Sequence, residues 1–365
     1  MRYSHFLTDE RSIKRMMSLT TPSTILFVFT FLFGVLCVAG VRCKDMNGHD
    51  VDWYYVYKLP RISSHKNPLI KSGVAFFYLD NFQQTFQLSN TSMEDLSQPI
   101  AQTLQQIYNS PSKIAHVMYN DQPPGGREQI DWGHTKGVVA YDAKDGFWLM
   151  HTVPWFPRND TYEWPEKAKH YGQTAVCVSL KSSEMETVAK QMQCTRPYVY
   201  SNHTTDLFHS VFENVVKGLF GKCPSGSQIV QLQSLGMQNF THYAKSKTYG
   251  KDIYFDLIAQ DLKSDLLVET WRRSTALPSN CSLPFHVNNI WALWFPSTAK
   301  FTYGKDHSKW AITSNERQII CMGDINRMST QFKRGGGVLC SHLPSVWQQF
   351  NDTVADVEPC PSKEK

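Results

Sequence analysis

Two stretches decide the interpretation of this chain of 365 residues: GHTKGVVAYD at residues 133–142 and YGKDHSKWAI at residues 303–312. Each contains His-x-Lys, as HTK at 134–136 and HSK at 307–309, followed by an apolar run typical of a buried strand. Residues i and i+2 of a strand point to the same face, so each imidazole and its ammonium can meet on one anion. A single copy fits a strand-edge histidine beside a solvated lysine. The duplication in matching contexts instead predicts one active site built from two halves.

A second polar residue follows each pattern. His151 lies in GFWLMHTVPWFP, residues 146–157, and Asn326 lies in MGDINR, residues 322–327. Such a set suits a phosphodiester, whose charge must be neutralised while one oxygen is displaced. One imidazole can be the nucleophile and the other the general acid, and the sequence does not say which is which. The predicted catalytic residues are His134, Lys136, His307 and Lys309, with His151 and Asn326 as phosphate-binding or supporting residues.

Six segments together resemble the deoxyribonuclease II family, a branch of the phospholipase D superfamily with its duplicated H-x-K pattern. They cover nearly the whole chain after its N-terminal segment. The wider superfamily usually has Asp five residues after the motif Lys, whereas Tyr141 and Ser314 stand at those positions here. The segments are VDWYYVYKLP (from Val51), GHTKGVVAYD, GFWLMHTVPWFP, YGKDHSKWAI, MGDINR and RGGGVLC (from Arg334).

The resemblance implies an α+β fold of the phospholipase D type, a pseudo-dimer of two mixed sheets flanked by helices with one shared active site. The expected halves are residues 41–215 and 216–365, each with one H-x-K motif. Residues 194–236, rich in Gly, Ser and Asn, are the predicted connection. Apolar runs predict strands at residues 53–58, 73–79, 114–118, 137–141, 175–180, 253–258 and 289–295. Helices are predicted at residues 92–108, 183–193, 205–219, 260–271 and 345–350.

The resemblance also implies an acid, metal-independent DNA endonuclease that degrades DNA in lysosomes or after secretion. One histidine would attack phosphorus to give a phosphohistidine, and the other would protonate the departing 5′ oxygen. Water would then leave 3′-phosphate and 5′-hydroxyl ends. Lys136 and Lys309 would bind the non-bridging oxygens. No metal or cofactor is expected, the partner is double-stranded DNA with little sequence specificity, and a homodimer is allowed but not required.

The N-terminus predicts entry into the secretory pathway. An apolar run at residues 25–38 follows Arg11, Lys14 and Arg15 and precedes small residues suited to cleavage. Residues 1–40 are therefore predicted to be a signal peptide, with an uncleaved signal anchor as the alternative. No other stretch is apolar enough to cross a bilayer, so no stable membrane insertion is expected after cleavage.

Eight cysteines remain beyond residue 40, an even number that indicates disulfides in a secreted chain. A metal cluster is the alternative, but no C-x-x-C spacing occurs. The resemblance implies the pairs Cys43–Cys177, Cys281–Cys360 and Cys321–Cys340, which leaves Cys194 and Cys223 for a fourth pair. N-glycosylation is predicted at the six sequons of Asn90, Asn159, Asn202, Asn239, Asn280 and Asn351.

Net charge alone is a weak argument for a polyanionic substrate. Residues 1–40 carry four basic and two acidic side chains, so removing them lowers the formal charge from +5 to +3. However, 12 of the 13 histidines remain, and many would protonate in an acidic organelle because their ordinary pKa is about 6.5. Attraction to DNA would then rise with acidity.

Three other functions fit parts of the sequence. A secreted phospholipase D-like enzyme acting on lipid headgroups would need a membrane-docking surface, and no basic amphipathic helix is obvious. A catalytically inactive nucleic-acid-binding glycoprotein would tolerate loss of motif residues, yet both H-x-K patterns are intact. A metal-dependent nuclease would use the acidic residues near the motifs, which show no recognisable metal spacing. These acidic residues are Asp131, Asp142, Asp306 and Asp324.

Overall fold

The fold begins at WYYVYK, the strand Trp53–Lys58, in which all six residues are buried. Aromatic and β-branched side chains favour extended backbone, and a strand buried on both faces needs packed layers on both sides of its sheet. The computed structural model describes residues 40–361. The predicted signal peptide, apart from Gly40, lies outside the described residues.

Ten strands lie between residues 43 and 203. They are β1 (Cys43–Lys44), β2 (Asp50–Val51), β3 (Trp53–Lys58), β4 (Phe76–Asp80), β5 (Gln87–Leu88), β6 (Ala115–Asn120), β7 (Lys136–Tyr141), β8 (Asp145–His151), β9 (Gln173–Lys181) and β10 (Val199–His203). Strands β1 and β2 pair with each other, and the other eight form the first large sheet in the order β10-β6-β7-β8-β9-β3-β4-β5. All pairs recorded in this sheet are antiparallel.

Nine strands between residues 227 and 357 form the second large sheet. They are β11 (Ser227–Gln233), β12 (Asn239–Lys245), β13 (Leu266–Thr270), β14 (Val287–Phe295), β15 (Ala299–Thr302), β16 (Lys309–Thr313), β17 (Ile319–Gly323), β18 (Gly336–His342) and β19 (Val354–Val357). The order is β11-β12-β18-β17-β16-β13-β14-β15, with β19 beside β14. Because β13 and β14 run parallel, this sheet is mixed.

Few helices accompany the sheets. They are α1 (Pro68–Ser72), α2 (Pro99–Asn109), α3 (Met185–Thr195), α4 (Ser210–Val216), α5 (Ala259–Leu262) and α6 (Pro344–Asn351), with a π-helical turn at Ile253–Ile258 and 3₁₀ turns at Glu166–Lys169, Ser182–Glu184, Pro224–Gly226, Tyr303–Lys305 and Ser329–Lys333. The predicted α+β class with two large sheets is confirmed. The pseudo-dimer and the boundary between residues 215 and 216 stay predictions.

The two large sheets pack face to face through aromatic side chains. Phe295 of β14 meets Tyr57 of β3 and Phe77 of β4, each with ring centroids 4.9 Å apart. Trp148 of β8 contacts His242 of β12 at 4.8 Å. On the outer faces, α2 packs on the first sheet and the π-helical turn packs on the second. Buried aromatic side chains dominate the stability of a core. Each sheet therefore needs the other to bury its inner face.

A buried polar network also crosses between the sheets. The Tyr57 hydroxyl of β3 donates to the carboxylate of Asp306 and lies 3.1 Å from the Ser308 hydroxyl. Asp306 also accepts from the backbone and side chain of Ser308. The first sheet therefore fixes the loop that carries the second H-x-K motif.

Several element predictions were wrong. Residues 253–258, predicted as a strand, form the π-helical turn capped by Asp252; a short apolar run does not distinguish these states. The helix predicted at residues 260–271 ends at Leu262, because Lys263 adopts a left-handed backbone and β13 follows. The helix predicted to begin at residue 92 begins at Pro99, where Gln98 provides the N-cap.

The predicted connection at residues 194–236 is also more ordered than expected. It contains β10, α4 and β11, and the chain crosses from the first sheet to the second between β10 and β11. The helix predicted at residues 205–219 is the shorter α4. The four disulfides are present with the expected pairing, Cys43–Cys177, Cys194–Cys223, Cys281–Cys360 and Cys321–Cys340.

Removing the hydroxyl of Tyr57 should destabilise the protein. The change Tyr57→Phe leaves the buried Asp306 and Ser308 each without one partner, which should lower the free energy of unfolding by about 1–3 kcal/mol in urea titration. Tyr55→Phe is the matched control, because Tyr55 is equally buried on the same strand and its hydroxyl makes no hydrogen bond within residues 40–361. Equal losses in the two variants would contradict a structural role for the network.

Candidate active site

Both H-x-K motifs line one cleft of about 550 Å³. Lys136 is the first residue of β7 and Lys309 is the first residue of β16, so each histidine lies in the loop just before its strand. The structure thus brings together five of the six predicted site residues. The lining residues are Gln122, Glu128, His134, Lys136, Thr152, Pro154, Trp155, Lys167, His170, Tyr171, Gln173, Trp271, His307, Lys309 and Asn326.

The histidine of each H-x-K motif is held by the backbone of the other half. The amide of His134 donates to the carbonyl of Gly335 at 2.8 Å, and the amide of His307 donates to the carbonyl of Gly172 at 2.8 Å. Neither glycine could carry a side chain: a Cβ at Gly335 would collide with the backbone of Thr195, and one at Gly172 would collide with Asp306. The two motifs therefore hold their positions only when both sheets are packed.

The hydrogen bond of His134 fixes its tautomer. Its Nδ1 lies 2.5 Å from the backbone carbonyl oxygen of Asp324. A carbonyl can only accept, so Nδ1 carries the proton and Nε2 keeps its lone pair in the neutral ring. Burial lowers the pKa of His134 well below its usual value, and the Asp121 carboxylate only partly opposes this.

Lys136 belongs to a buried charge chain that crosses between the halves. Its ammonium donates to Asp121, and the other oxygen of Asp121 accepts from Arg334 at 3.0 Å. Arg334 also donates to the carbonyl oxygens of Trp132 and Gln129, in the loop leading to His134. Burial alone would raise the pKa of Asp121, but Lys136, His134 and Arg334 hold it below its ordinary value. Asp121 is therefore ionised and compensates much of the charge of Lys136.

Lys309 carries the less compensated positive charge. Its ammonium donates to the backbone carbonyl of His307 at 2.5 Å, and within residues 40–361 no carboxylate lies within ion-pair distance of it. Burial, assisted by Lys136, lowers the pKa of Lys309 to about 7. The side chain is therefore charged in acid and loses its charge as the pH rises through neutrality.

His307 lies between two aromatic rings. Tyr171 stacks on it with centroids 4.5 Å apart, and Trp271 approaches from another side at 3.7 Å. Its Nε2 has no hydrogen-bond partner among residues 40–361. Burial and the nearby cations Lys309 and Lys136 lower the pKa of His307 well below its usual value. An imidazolium formed here would be stabilised by the faces of the rings.

The two supporting residues differ in their placement. Asn326 lines the cleft, and its Oδ1 is buried without a hydrogen-bond partner in the described part of the chain. His151 is also buried but does not line the cleft; its Nδ1 accepts from the amide of Val153 at 3.2 Å. Burial and Lys136 lower the pKa of His151 to about 3. This position favours the supporting role for His151 over phosphate contact.

Sequence reasoning missed several residues of the site. Asp121, Arg334, Tyr171 and Trp271 contact the motifs, and the ammonium of Lys58 donates to the carbonyl oxygens of Lys169 and Tyr171 at 3.0 and 2.6 Å. Arg334 and Lys58 stand in segments that carry the family resemblance, which is the signal that could have identified them. Glu269 is fully buried with neither carboxylate oxygen bonded, and burial raises its pKa well above the usual value. No local pattern marks it.

Other predictions concern the surface. Asn90, Asn159, Asn202 and Asn239 are exposed, while Asn280 and Asn351 are half-buried; glycosylation stays a prediction.

None of the helices in the described part of the chain is long and apolar enough to span a membrane. Among residues 40–361, no group of three or more His, Cys, Asp or Glu side chains is arranged to hold a metal ion.

Comparison with known proteins identifies the family. A family model described as Deoxyribonuclease II matches residues 42–360. Deoxyribonuclease-2 of Caenorhabditis elegans is 35% identical over 91% of this chain and 97% of its own length. Plancitoxin-1 of Acanthaster planci is 37% identical, covering 93% and 99%. Deoxyribonuclease-2-alpha of Sus scrofa is 37% identical, covering 88% and 92%.

These matches extend over both sheets and both halves of the cleft. The class is therefore a hydrolase of the deoxyribonuclease type, as the sequence predicted. The chain belongs to the deoxyribonuclease II family.

The buried carboxyl of Asp324 should make stability depend on pH. Burial raises its pKa to about 7, whereas 3.8 is its ordinary value. Below the ordinary value the group is protonated in both states, and its contribution to stability is fully present. As the pH rises toward 7 the unfolded chain ionises first, so this contribution is lost.

The change Asp324→Asn should remove this dependence, because the amide oxygen can still accept from Gly337. Relative to wild type, the variant should gain stability between pH 4 and 7, by a total on the order of 4 kcal/mol. Urea midpoints at several pH values test this, with Asp206→Asn at an exposed turn as control. Parallel curves for wild type and Asp324→Asn would contradict it.

Proposed function

We propose that this protein is an acid, metal-independent DNA endonuclease that forms a phosphohistidine and leaves 3′-phosphate and 5′-hydroxyl ends. The observation that carries the proposal is the convergence of His134, Lys136, His307 and Lys309 on one cleft. Two imidazoles supply a nucleophile and an acid, and two ammonium groups supply the charge that a phosphodiester requires.

His134 is the nucleophile in this proposal. Its Nδ1 donates to the carbonyl of Asp324, which leaves the Nε2 lone pair free to attack phosphorus. Nε2 bonds to phosphorus as the bond from phosphorus to the 5′ oxygen breaks. The carbonyl of Asp324 stabilises the positive charge that develops on the ring, because it accepts the hydrogen bond from Nδ1 throughout the reaction.

His307 is the general acid. Its aromatic surroundings and its unpartnered Nε2 suit a ring that gains and loses a proton during turnover. In the first step it gives its proton to the departing 5′ oxygen. In the second step it takes a proton from water as the water oxygen attacks the phosphohistidine, and the 3′-phosphate leaves His134.

Lys309, Lys136 and Asn326 hold the phosphate in this proposal. Because Asp121 compensates much of the charge of Lys136, Lys309 provides the larger share of the attraction to the non-bridging oxygens. The Asn326 side chain completes the anion site from the wall of the cleft. These cations perform the charge neutralisation that a divalent metal performs in other nucleases.

Acid dependence follows from these groups. Lys309 is charged below about pH 7, and the lowered pKa of His307 means that it holds a proton only in acid or when a phosphate lies beside it. His134 must stay neutral, and its own lowered pKa allows this at the same pH. The two histidines titrate as a coupled pair, so activity should require a pH below neutrality.

DNA is the proposed substrate, since the relatives named deoxyribonuclease-2 are by name DNA hydrolases. A lysosomal or secreted location follows from the predicted signal peptide, the paired cysteines and the exposed sequons. The lipid-headgroup alternative shares the chemistry of the cleft and differs only in what lies outside it. A homodimer stays a prediction.

A change of leaving group separates the roles of the two histidines. Thymidine 3′-(p-nitrophenyl phosphate) releases nitrophenolate, which needs no proton to leave. His307→Ala should therefore lose DNA cleavage by roughly 10²–10⁴-fold, yet still release one equivalent of nitrophenolate and accumulate enzyme phosphorylated on His134. Burst kinetics at pH 5 in EDTA measure the nitrophenolate released, and peptide mapping identifies the phosphorylated residue.

Two controls frame this experiment. His134→Ala should lose activity on both substrates, and His49→Ala should keep both because its side chain is 78% exposed and pairs only with Asp45. Accumulation of phosphorylated His307 in the His134 variant would reverse the assignment. Full DNA cleavage by either catalytic variant would reject the two-histidine mechanism.

A further inference from the structure

Two tryptophans project from the edge region of the second sheet. Trp291 and Trp294 of β14 are 42% and 50% exposed, whereas Ile290 and Leu293 of the same strand are fully buried. Register shifts between β14 and β19 interrupt simple alternation, so both indoles lie away from the core that the two sheets share. Large aromatic side chains are seldom this exposed without a partner.

Ring and cation contacts, joined by the chain between Trp271 and Arg272, lead from the cleft toward Trp291. His307 contacts Trp271 at 3.7 Å in the cleft. The next residue, Arg272, lies over the ring of Tyr303 at 4.2 Å, and Tyr303 contacts Trp291 at 4.9 Å. Tyr303 also begins the short turn that leads directly into the second H-x-K motif. The residues around Trp291 are therefore packed against the residues that form this wall of the cleft.

Cations accompany these rings. Arg273 lies over Trp271 at 4.2 Å, and the exposed Lys300 is the register partner of Trp294 across β14 and β15. Lys305 is also exposed, in the turn after Tyr303. The exposed acidic groups nearby are Asp356, opposite Ala292, and Asp352, beside Thr353, whose carbonyl accepts from the amide of Trp294. Glu358 forms an ion pair with Arg272 at 3.2 Å. The three exposed cations still outnumber the two exposed carboxylates, so the surface as a whole attracts an anion.

We propose that this surface, formed by Trp271, Tyr303, Trp291, Trp294, Lys300 and Lys305 and here called the aromatic ridge, binds the polynucleotide beyond the cleaved phosphodiester. Aromatic side chains interleaved with cations bind nucleic acid without regard to sequence, because every base has a face to stack on and every nucleotide a phosphate. A duplex that frays at the cleft would supply such bases. The inference rests on the proposed nuclease function and extends its binding site to the outer edge of the second sheet.

Substrate length distinguishes the ridge from the cleft. In the double variant Trp291→Ala, Trp294→Ala, KM for a 30-nucleotide single strand at pH 5 should rise at least tenfold. Activity on thymidine 3′-(p-nitrophenyl phosphate), which reaches only the cleft, should not change, and this also shows that the variant is folded. Lys300→Gln should reduce the salt dependence of KM for the long strand by about one phosphate contact.

Met237→Ala is the matched control, because Met237 is 61% exposed at the β11–β12 turn, at the opposite edge of the same sheet. An unchanged KM in the double variant would overturn the proposal. In that case, loss of a dimer in sedimentation would show that the ridge binds a second copy of the chain. Loss of binding to anionic lipid vesicles would show that it binds a membrane. Failure of the wild type to cleave either substrate would instead reject the proposed function itself.

Discussion

Two backbone hydrogen bonds hold the site together: His134 to the carbonyl of Gly335, and His307 to the carbonyl of Gly172. Each connects the histidine of one H-x-K motif to a glycine of the other half. The contacts are backbone to backbone and closely packed, so they cannot be re-formed by a rotamer change. The face-to-face packing of the two sheets is therefore a condition for catalytic geometry as well as for stability.

Buried polar and charged side chains also connect the two halves. Arg334 reaches from the second half to Asp121, which binds Lys136 in the first half. Tyr57 reaches from the first sheet to Asp306, beside His307. Truncating one member of such a network leaves another polar group buried without a partner, which costs more than the bond itself contributes. The cleft consequently keeps several cations close together before any phosphate arrives, and in the proposed mechanism this preorganisation stabilises charge in the transition state.

The sequence predicted the parts of the site that repeat. Both H-x-K motifs stand before strands with strong apolar runs, so their position at strand edges was predictable, and the family resemblance supplied the fold and the disulfide pairs. Strands such as β11 and β15 were missed because they lie at the edges of the sheet and contain polar residues among the apolar ones. The π-helical turn at Ile253–Ile258 was mistaken for a strand, since its apolar residues have no clear period.

Residues that act across the halves were not predictable from local pattern. Arg334 and Asp121 are 213 positions apart, and only the folded chain brings them together. Glu269 lies within β13 between Val268 and Thr270, and only in three dimensions is it visible that its buried carboxyl lacks a hydrogen-bond partner among residues 40–361. By contrast, Asn326 was identified from the sequence because it belongs to a short segment that follows the second motif.

The most direct test of a single shared site is plasmid digestion at pH 5 in EDTA by His134→Ala, by His307→Ala and by an equimolar mixture of the two variants. If both histidines serve one site within one chain, each variant should lose nearly all activity and the mixture should recover none. Retention of about half the wild-type rate by each single variant would mean that each half cleaves DNA independently, and it would contradict the account.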